Sequence, residues 1–312
     1  METKKILKEA AAYLEYCGVL FSDREAVDIL MDLLGITSRA QILSVRLNSD
    51  TLNMYWMRIQ KRAERVPTAY IHGSVRFLEL DLEVDSRVLI PRMETELLAE
   101  KIIQYLTQHS HIQTFYDVCC GSGCLGLSIK KYCPNVKVVL SDICPKAVAV
   151  AKINASKNNL KVDVLEGDLF APFSCPADAF VCNPPYLSFD EIMRTDPEVR
   201  CHEPWKALVG GSSGLEFYER IARDLDAVLH PGGVGWLEIG YRQGEAVKRI
   251  FANHGVCGSI HQDLSACDRI FFLKIMQVML YPHEIILDFC SVDDQFFIAK
   301  TILNFFFAGC LT

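Results

Sequence analysis

From residue 114 onward the chain alternates short apolar runs with helix-length segments, and few architectures accept that order. "TFYDVCC" is a strand-like run, and "GSGCLGLSIKKYC" after it sets Leu125, Ile129, Tyr132 and Cys133 at helical spacing. "VKVVLSD", "CPKAVAVAKINASKNN", "VDVLEGD" and "DAFVCNPPY" continue as strand, helix, strand and strand. Later come helix "GLEFYERIARDLDAVLH", strand "GGVGWLEIG" and helix "GEAVKRIFANHG". Such alternation implies βαβ units and an α/β fold with a mostly parallel, doubly wound sheet. Ligands in that fold sit beyond the carboxyl ends of the strands, so the turns leaving the strands are where chemistry is expected.

The chain before this region reads differently. Residues 1–70 predict helices only: Ile6, Leu7, Ala10, Tyr13, Leu14 and Cys17 share one face, and "SDREAVDILMDLLG" predicts a helix capped by Ser22 or Asp23 and ended by Gly35. "SDTLNMYWMRIQKRAER" predicts another, closed by Pro67, with Tyr55 and Trp56 in its core. Residues 71–90 alternate apolar and polar side chains (Val75, Phe77, Leu80, Leu82, Val84), the pattern of a β-hairpin linking the helices to the wound domain at 91–275. The apolar tail at 276–312 ends in "FFIAKTILNFFFAGCLT", whose 17 residues include a Lys. It falls short of the ~20 residues of a membrane span, so a segment packed on the domain is expected.

"DVCCGSG" ends the first strand of the wound region and opens a helix. Glycine there lets the backbone approach a ligand, and the helix start offers free N–H groups. Gly121, Gly123 and Gly126 also satisfy GxGxxG, which keeps a nicotinamide cofactor open; a bare strand–helix turn would look similar. Asp142 ends the next strand, where an acid can accept from both ribose hydroxyls of a nucleoside; this excludes a 2′-phosphate without choosing between NAD and S-adenosylmethionine. Asp168, after the third strand, is placed to accept from an adenine amino group, with Leu169 along the ring.

The fourth strand runs into "NPPY", residues 183–186. Two prolines fix two φ angles and remove two donors, which makes a rigid arm. A planar NH2 group is a weak nucleophile, and each N–H left unpaired away from water costs ~1–3 kcal/mol. The Asn183 side-chain oxygen can accept one N–H and the Pro184 carbonyl the other; Pro185 stiffens that carbonyl, and Tyr186 can pack on the flat group. Such a clamp selects an NH2 donor and aims its lone pair at an electrophile. A sulfonium methyl is an electrophile that needs no strong base, and orientation alone is worth up to ~7–11 kcal/mol of barrier.

A net charge of -7 argues against a protein wrapped on nucleic acid. The 13 cysteines are scattered, and the Cys119, Cys120 and Cys124 cluster fits no common zinc spacing, so no metal is expected and reduced thiols of a cytoplasmic protein are. The N-terminus lacks the apolar run of a signal peptide.

Taken in order, these segments resemble the release-factor glutamine methyltransferases of the HemK/PrmC type. "PTAYIHGSVRFLELDLEVDSRVLIPRMETELLAE", "DVCCGSGCLGLSIK", "NPPY", "EPWKALVGGSSGLEFYERI", "LHPGGVGWLEIGYRQGEAV" and "DLSACDRI" carry the resemblance across about residues 5–275. It implies a Rossmann-like class I methyltransferase domain behind a small helical domain. It implies methyl transfer from S-adenosyl-L-methionine to the side-chain amide nitrogen (N5) of the Gln in the Gly-Gly-Gln motif of peptide-chain release factors. Cys119, Cys120, Gly121, Ser122, Gly123, Asp142, Asp168, Leu169 and Asn183 would hold the cofactor. Asn183, Pro184, Pro185 and Tyr186 would hold the target Gln, and the N-terminal helices would meet the release factor. A monomer with no stable nucleic-acid or membrane contact is expected. Cys119 stands where the general methyltransferase pattern has Gly, Cys120 where a small hydroxyl is common, Met93 where Pro is frequent, and Leu169 in place of an aromatic. The rival readings are an adenine-amino (N6) DNA or RNA methyltransferase, which could use the same arm on a flipped base, and an oxidoreductase drawing a proton donor from His72, His202 or His261. A binding module that kept the fold without the reaction is the third.

Overall fold

The computed structural model describes residues 3–42, 44–276, 278–281 and 284–287. Five helices come first: α1 (Thr3–Tyr16), α2 (Ser22–Leu34), α3 (Arg39–Ile42), α4 (Ser49–Ala63) and α5 (Thr68–His72). Ile6, Ala10 and Leu14 of α1 close on Ala26, Ile29 and Leu30 of α2 and on Tyr55 and Ile59 of α4, a core of their own. Tyr55 is fully buried and its hydroxyl donates to the Ala26 carbonyl at 2.9 Å, while Trp56 is only partly covered. Gly35 ends α2 in the left-handed region, as its place predicts. The start of α2 differs from expectation: Phe21 occupies the cap with φ 55, so Ser22 is already helical and caps nothing.

The hairpin follows as β1 (Ser74–Phe77) and β2 (Leu80–Glu83), then α6 (Met93–Gln108). Asn154 and Asn158 exchange hydrogen bonds with the main chain of Glu83 and Asp81, and Phe77, Leu80 and Leu82 join the main core. The wound region contains β3 (Thr114–Val118), α7 (Cys124–Tyr132), β4 (Lys137–Asp142), α8 (Pro145–Lys157), β5 (Asp163–Glu166) and β6 (Ala177–Cys182). Short β7 (Leu187–Ser188), α9 (Phe189–Ile192), α10 (Pro197–His202) and β8 (Val209–Gly211) come next. α11 (Glu216–Asp224), β9 (Leu229–Glu238), α12 (Gly244–Asn253), β10 (Cys257–Gln262) and β11 (Asp268–Lys274) complete it.

Seven strands form one sheet in the order β10-β11-β9-β6-β3-β4-β5, with β9, β6, β3, β4 and β5 parallel and the last two strands antiparallel at one edge. Apolar side chains on both faces explain the near-continuous hydrophobic runs of the central strands. One face packs Phe115, Leu140 and Val181 under α6, α7 and α8; the other packs Val118, Phe180 and Leu237 under α11 and α12. Successive strands run outward one way from β3 through β4 to β5, and the other way from β6 to β9. The switch point therefore lies between β3 and β6, where a crevice must open at their carboxyl ends.

Arg65 grips Glu198 of α10 with two bonds of 2.7 Å, Arg62 reaches the same carboxylate at 2.9 Å, and His202 Nε2 pairs with the Glu64 carbonyl at 3.0 Å. The tail expected to pack on the domain lies mostly outside the described residues; within it, Val278–Tyr281 and Glu284–Leu287 pair as an antiparallel hairpin. Among the described residues no helix is long and apolar enough to cross a membrane.

Candidate active site

The crevice at the switch point is a cleft walled by the turns after β3, β4, β5 and β6, by the 87–92 segment with Thr95, and by residues of the 204–220 stretch. Of the residues singled out in the sequence, Cys119, Cys120, Gly121, Ser122, Asp142, Asp168, Leu169, Asn183 and Pro185 line it. Gly123, Pro184 and Tyr186 do not form its wall.

The loop after β3 turns through left-handed residues: Cys119 (φ 60), Gly121 (φ 54) and Gly123 (φ 82). Two of them are glycine for the usual steric reason, whereas Cys119 bears a Cβ in a region that costs an L-residue roughly 1–2 kcal/mol. Gly126, the last glycine of the loop pattern, serves packing. A Cβ there would stand 2.8 Å from both Asp117 Oδ2 and Leu140 Cγ. Burial pushes the thiols of Cys120 and Cys124 up, so they stay protonated and act as small apolar groups.

Asp142 binds the loop itself. Its two oxygens accept the N–H groups of Gly121 (2.9 Å) and Cys144 (2.8 Å). A carboxylate has about four acceptor positions, so two remain for hydroxyls of a ligand. Burial lifts its pKa, and those two backbone bonds oppose the rise.

Asp117 is the residue that sequence reasoning missed on this wall. It is 1% exposed, its Oδ2 accepts the Gly126 N–H at 2.7 Å, and its Oδ1 is buried with no partner. Burial pushes its carboxyl up to about 7, with Asp142 adding to the rise and the Gly126 bond opposing it. A buried acceptor left open beside a cleft is costly unless a ligand donor meets it, and a cationic donor fits best. The available signal was an acid inside an otherwise apolar strand.

Asp168 is not free. Its Oδ2 pairs with Arg220 at 2.6 Å, both side chains being about half-exposed, so Arg220 shares the rim with Asp168. Leu169 is buried with φ 46, a second strained non-glycine at the cleft.

The Asn183–Tyr186 arm leaves β6 and is held by its backbone. A Cβ at Gly210 would meet the Pro185 carbonyl oxygen at 2.4 Å, and one at Gly214 would meet the Tyr186 carbonyl oxygen at 2.3 Å. Gln243 Nε2 donates to the Tyr186 carbonyl at 3.0 Å, and its Oε1 accepts the Gly240 N–H at 2.9 Å. The Tyr186 ring packs against the α11–α12 core, and burial pushes its phenol pKa up. Two glycines and a glutamine far away in sequence thus fix the arm, and nothing local to "NPPY" announced them.

Residues 92–195 match the model described as the methyltransferase small domain, and residues 5–73 match that of the PrmC N-terminal domain. The crystal structure of the hMettl16 catalytic domain in complex with MAT2A 3′UTR hairpin 6 is similar in fold, at TM-score 0.50 and 15% identity over 74% of this chain and 84% of that chain. Sheet order, switch-point cleft and matched domain together define a methyltransferase of the Rossmann-like α/β class. Two relatives narrow the class. The release factor glutamine methyltransferase of Chlamydia trachomatis serovar L2 is 58% identical over 87% of this chain and 93% of its own; that of Clostridium acetobutylicum is 39% identical over 72% and 80%. The chain belongs to the release factor glutamine methyltransferase family.

Proposed function

We propose that the protein transfers a methyl group from S-adenosyl-L-methionine to the side-chain amide nitrogen (N5) of the Gln in the Gly-Gly-Gln motif of peptide-chain release factors. Family membership supports the substrate. The observation that carries the chemistry is that Asn183 opens onto the same cleft as Asp142 and the loop at 119–122.

The residues present fit the cofactor. The two open acceptor positions of Asp142 suit ribose hydroxyls, and the unpartnered Asp117 Oδ1 suits an ammonium group. Leu169 offers an apolar face for the adenine, with Asp168 and Arg220 at its edge. Residues 119–123 supply the backbone cradle. When bound, the cofactor supplies a methyl group on a positively charged sulfur.

The remaining work belongs to the arm. Asn183 Oδ1 and the Pro184 carbonyl accept the two amide hydrogens of the substrate Gln, with Pro185 and Tyr186 keeping that geometry stiff. Holding both hydrogens fixes the plane of the carboxamide and turns its nitrogen toward the sulfonium carbon. The nitrogen becomes acidic as the methyl arrives, so its proton passes to water without a dedicated base. Residues 1–70 contact the release factor, residues 71–90 join them to the catalytic domain at 91–275, and the reaction takes place in the cytoplasm.

Mass spectrometry of a release factor after incubation with the protein and S-adenosylmethionine tests this. The expected result is a gain of one methylene mass on the Gln of Gly-Gly-Gln. Methylation of duplex DNA or RNA in place of the release factor would overturn it.

A further inference from the structure

Glu238 is the last residue of β9 and is 2% exposed, although it carries a carboxylate. β9 runs parallel to β6 with Leu237 opposite Cys182, so Glu238 and Asn183 are the next neighbours along the two strands. Side chains at equivalent positions of adjacent strands leave the sheet on the same face. On that face α6 brings Thr95, whose Oγ1 donates to Glu238 Oε2 at 2.7 Å. Burial lifts the pKa of this carboxyl, and the Asn183 side chain lies close enough to oppose the rise.

That proximity bears on which way Asn183 points. Where Glu238 is ionised it only accepts, so an Asn183 amide that pairs with it turns its NH2 to Glu238 and its Oδ1 away. A primary amide without such a partner can turn over and present NH2 to the cleft. Reversed, it would confront the hydrogens of a substrate amide with more hydrogens.

We propose that Glu238 is a positioning residue that locks the Asn183 amide with its oxygen toward the cleft, and that it sets the preference for an NH2 donor through this lock. The inference rests on the glutamine-methylation reading. Thr95 completes the lock for a neutral side chain: a Gln at position 238 could still accept from Asn183 through Oε1, provided its NH2 has the Thr95 hydroxyl to donate to.

The test compares full-length parent, Thr95→Val, Glu238→Gln and the double variant, reading kcat on a release factor and the Kd for S-adenosylhomocysteine. Glu238→Gln is expected to keep kcat within about fivefold, with both bonds remade. Thr95→Val alone should cost under about threefold, because a carboxylate cannot donate and Asn183 stays oriented. In the Glu238→Gln background the same Thr95→Val should lower kcat about tenfold or more, the effect of one misdirected hydrogen bond. S-adenosylhomocysteine affinity should stay within about threefold throughout. A purely structural carboxylate predicts the reverse, since losing Thr95 then harms a buried charge more than a neutral amide. Equal Thr95→Val effects in the two backgrounds, or losses in Kd rather than kcat, overturn the inference alone. A parent inactive on the release factor overturns the function and the inference together.

Discussion

Asp142 Oδ2 accepts the backbone N–H of Gly121 at 2.9 Å, so the acid that ends β4 holds the loop that follows β3. One side chain therefore shapes the loop and lines the cleft. Asp142→Ala leaves the N–H groups of Gly121 and Cys144 without acceptors and removes the proposed ribose partner. Stability should fall by ~1–3 kcal/mol, and cofactor affinity at least tenfold by about the same reasoning. Denaturant unfolding and calorimetric titration with S-adenosylhomocysteine measure the two; unchanged affinity would remove Asp142 from the cofactor site.

Asn183 lines the cleft at the end of β6 and carries the acceptor of the proposed clamp. Asn183→Ala removes that acceptor without touching the contacts of Asp142 or Asp117. Turnover should drop by about 10²-fold or more, while S-adenosylhomocysteine affinity changes only a few-fold. Single-turnover kinetics with saturating cofactor separates the two effects, and parental turnover in the variant would refute the clamp.

What the sequence disclosed is what local periodicity and turn chemistry encode. The strands ending at Val118, Asp142 and Cys182 each came with an apolar run and a turn, so the wound sheet and its crevice were readable. Cys119, Asp142 and Asn183 were readable because they sit at those strand ends. The rest depends on contacts between distant segments. Glu238 comes beside Asn183 only through the β6–β9 register, and Gln243 reaches Tyr186 across 57 positions. Arg220 meets Asp168 only because α11 returns over the rim of the cleft. The misplaced start of α2 has a local cause: a Ser was available as a cap, but Phe21 takes the left-handed turn.

The carboxyl of Asp117 is pushed up to about 7 by burial, so the empty protein keeps it largely protonated in mild acid. Pairing with an ammonium group would favour the ionised form and lower that pKa. Cofactor binding must then expel a proton below pH 7, and affinity should weaken by up to about tenfold per unit as pH falls from 7 toward 5. Isothermal titration across that range, in buffers of different ionisation enthalpy, reads both the slope and the proton release. Asp117→Asn should flatten the slope, and a flat profile in the parent would exclude Asp117 as the ammonium partner.

Gly126, in the first turn of α7, and Cys119, in the loop before that helix, have opposite tolerances. A Cβ at position 126 would sit 2.8 Å from Asp117 Oδ2 and from Leu140 Cγ, both held in the core. Gly126→Ala should therefore destabilise by roughly 1–3 kcal/mol and weaken cofactor binding through Asp117. Cys119 already stands at φ 60. Cys119→Gly should stay within about 1 kcal/mol of the parent, since relieved strain offsets lost contacts, whereas β-branched Cys119→Val should cost ~1–3 kcal/mol. Denaturant midpoints rank the three variants, and a Cys119→Val as stable as Cys119→Gly would contradict the strained turn.

Glu198 ties α10 to the helical front of the chain through Arg65 and Arg62. Burial alone would lift its carboxyl, but the Arg65 and Arg62 hydrogen bonds bring it down to about 2. A carboxyl whose folded pKa is depressed stabilises fully above its unfolded value, near 4.5, and the contribution is lost as pH falls toward about 2. Glu198→Gln removes the charge at every pH and leaves Glu25, at 3.2 Å, as the remaining acidic partner of Arg62, which is only 5% exposed and whose Nη1 has no partner. The variant should lose on the order of 1–3 kcal/mol at pH 7 and show a flatter stability profile between pH 5 and 3 than the parent. Because α10 follows the arm in the chain and is tied to the helical domain by these pairs, the same substitution should raise KM for a release factor while leaving S-adenosylhomocysteine affinity unchanged. Steady-state kinetics with whole release factor checks this. An unaltered KM together with full stability loss would limit the Glu198 pairs to holding the two parts of the fold together, with no share in presenting the substrate.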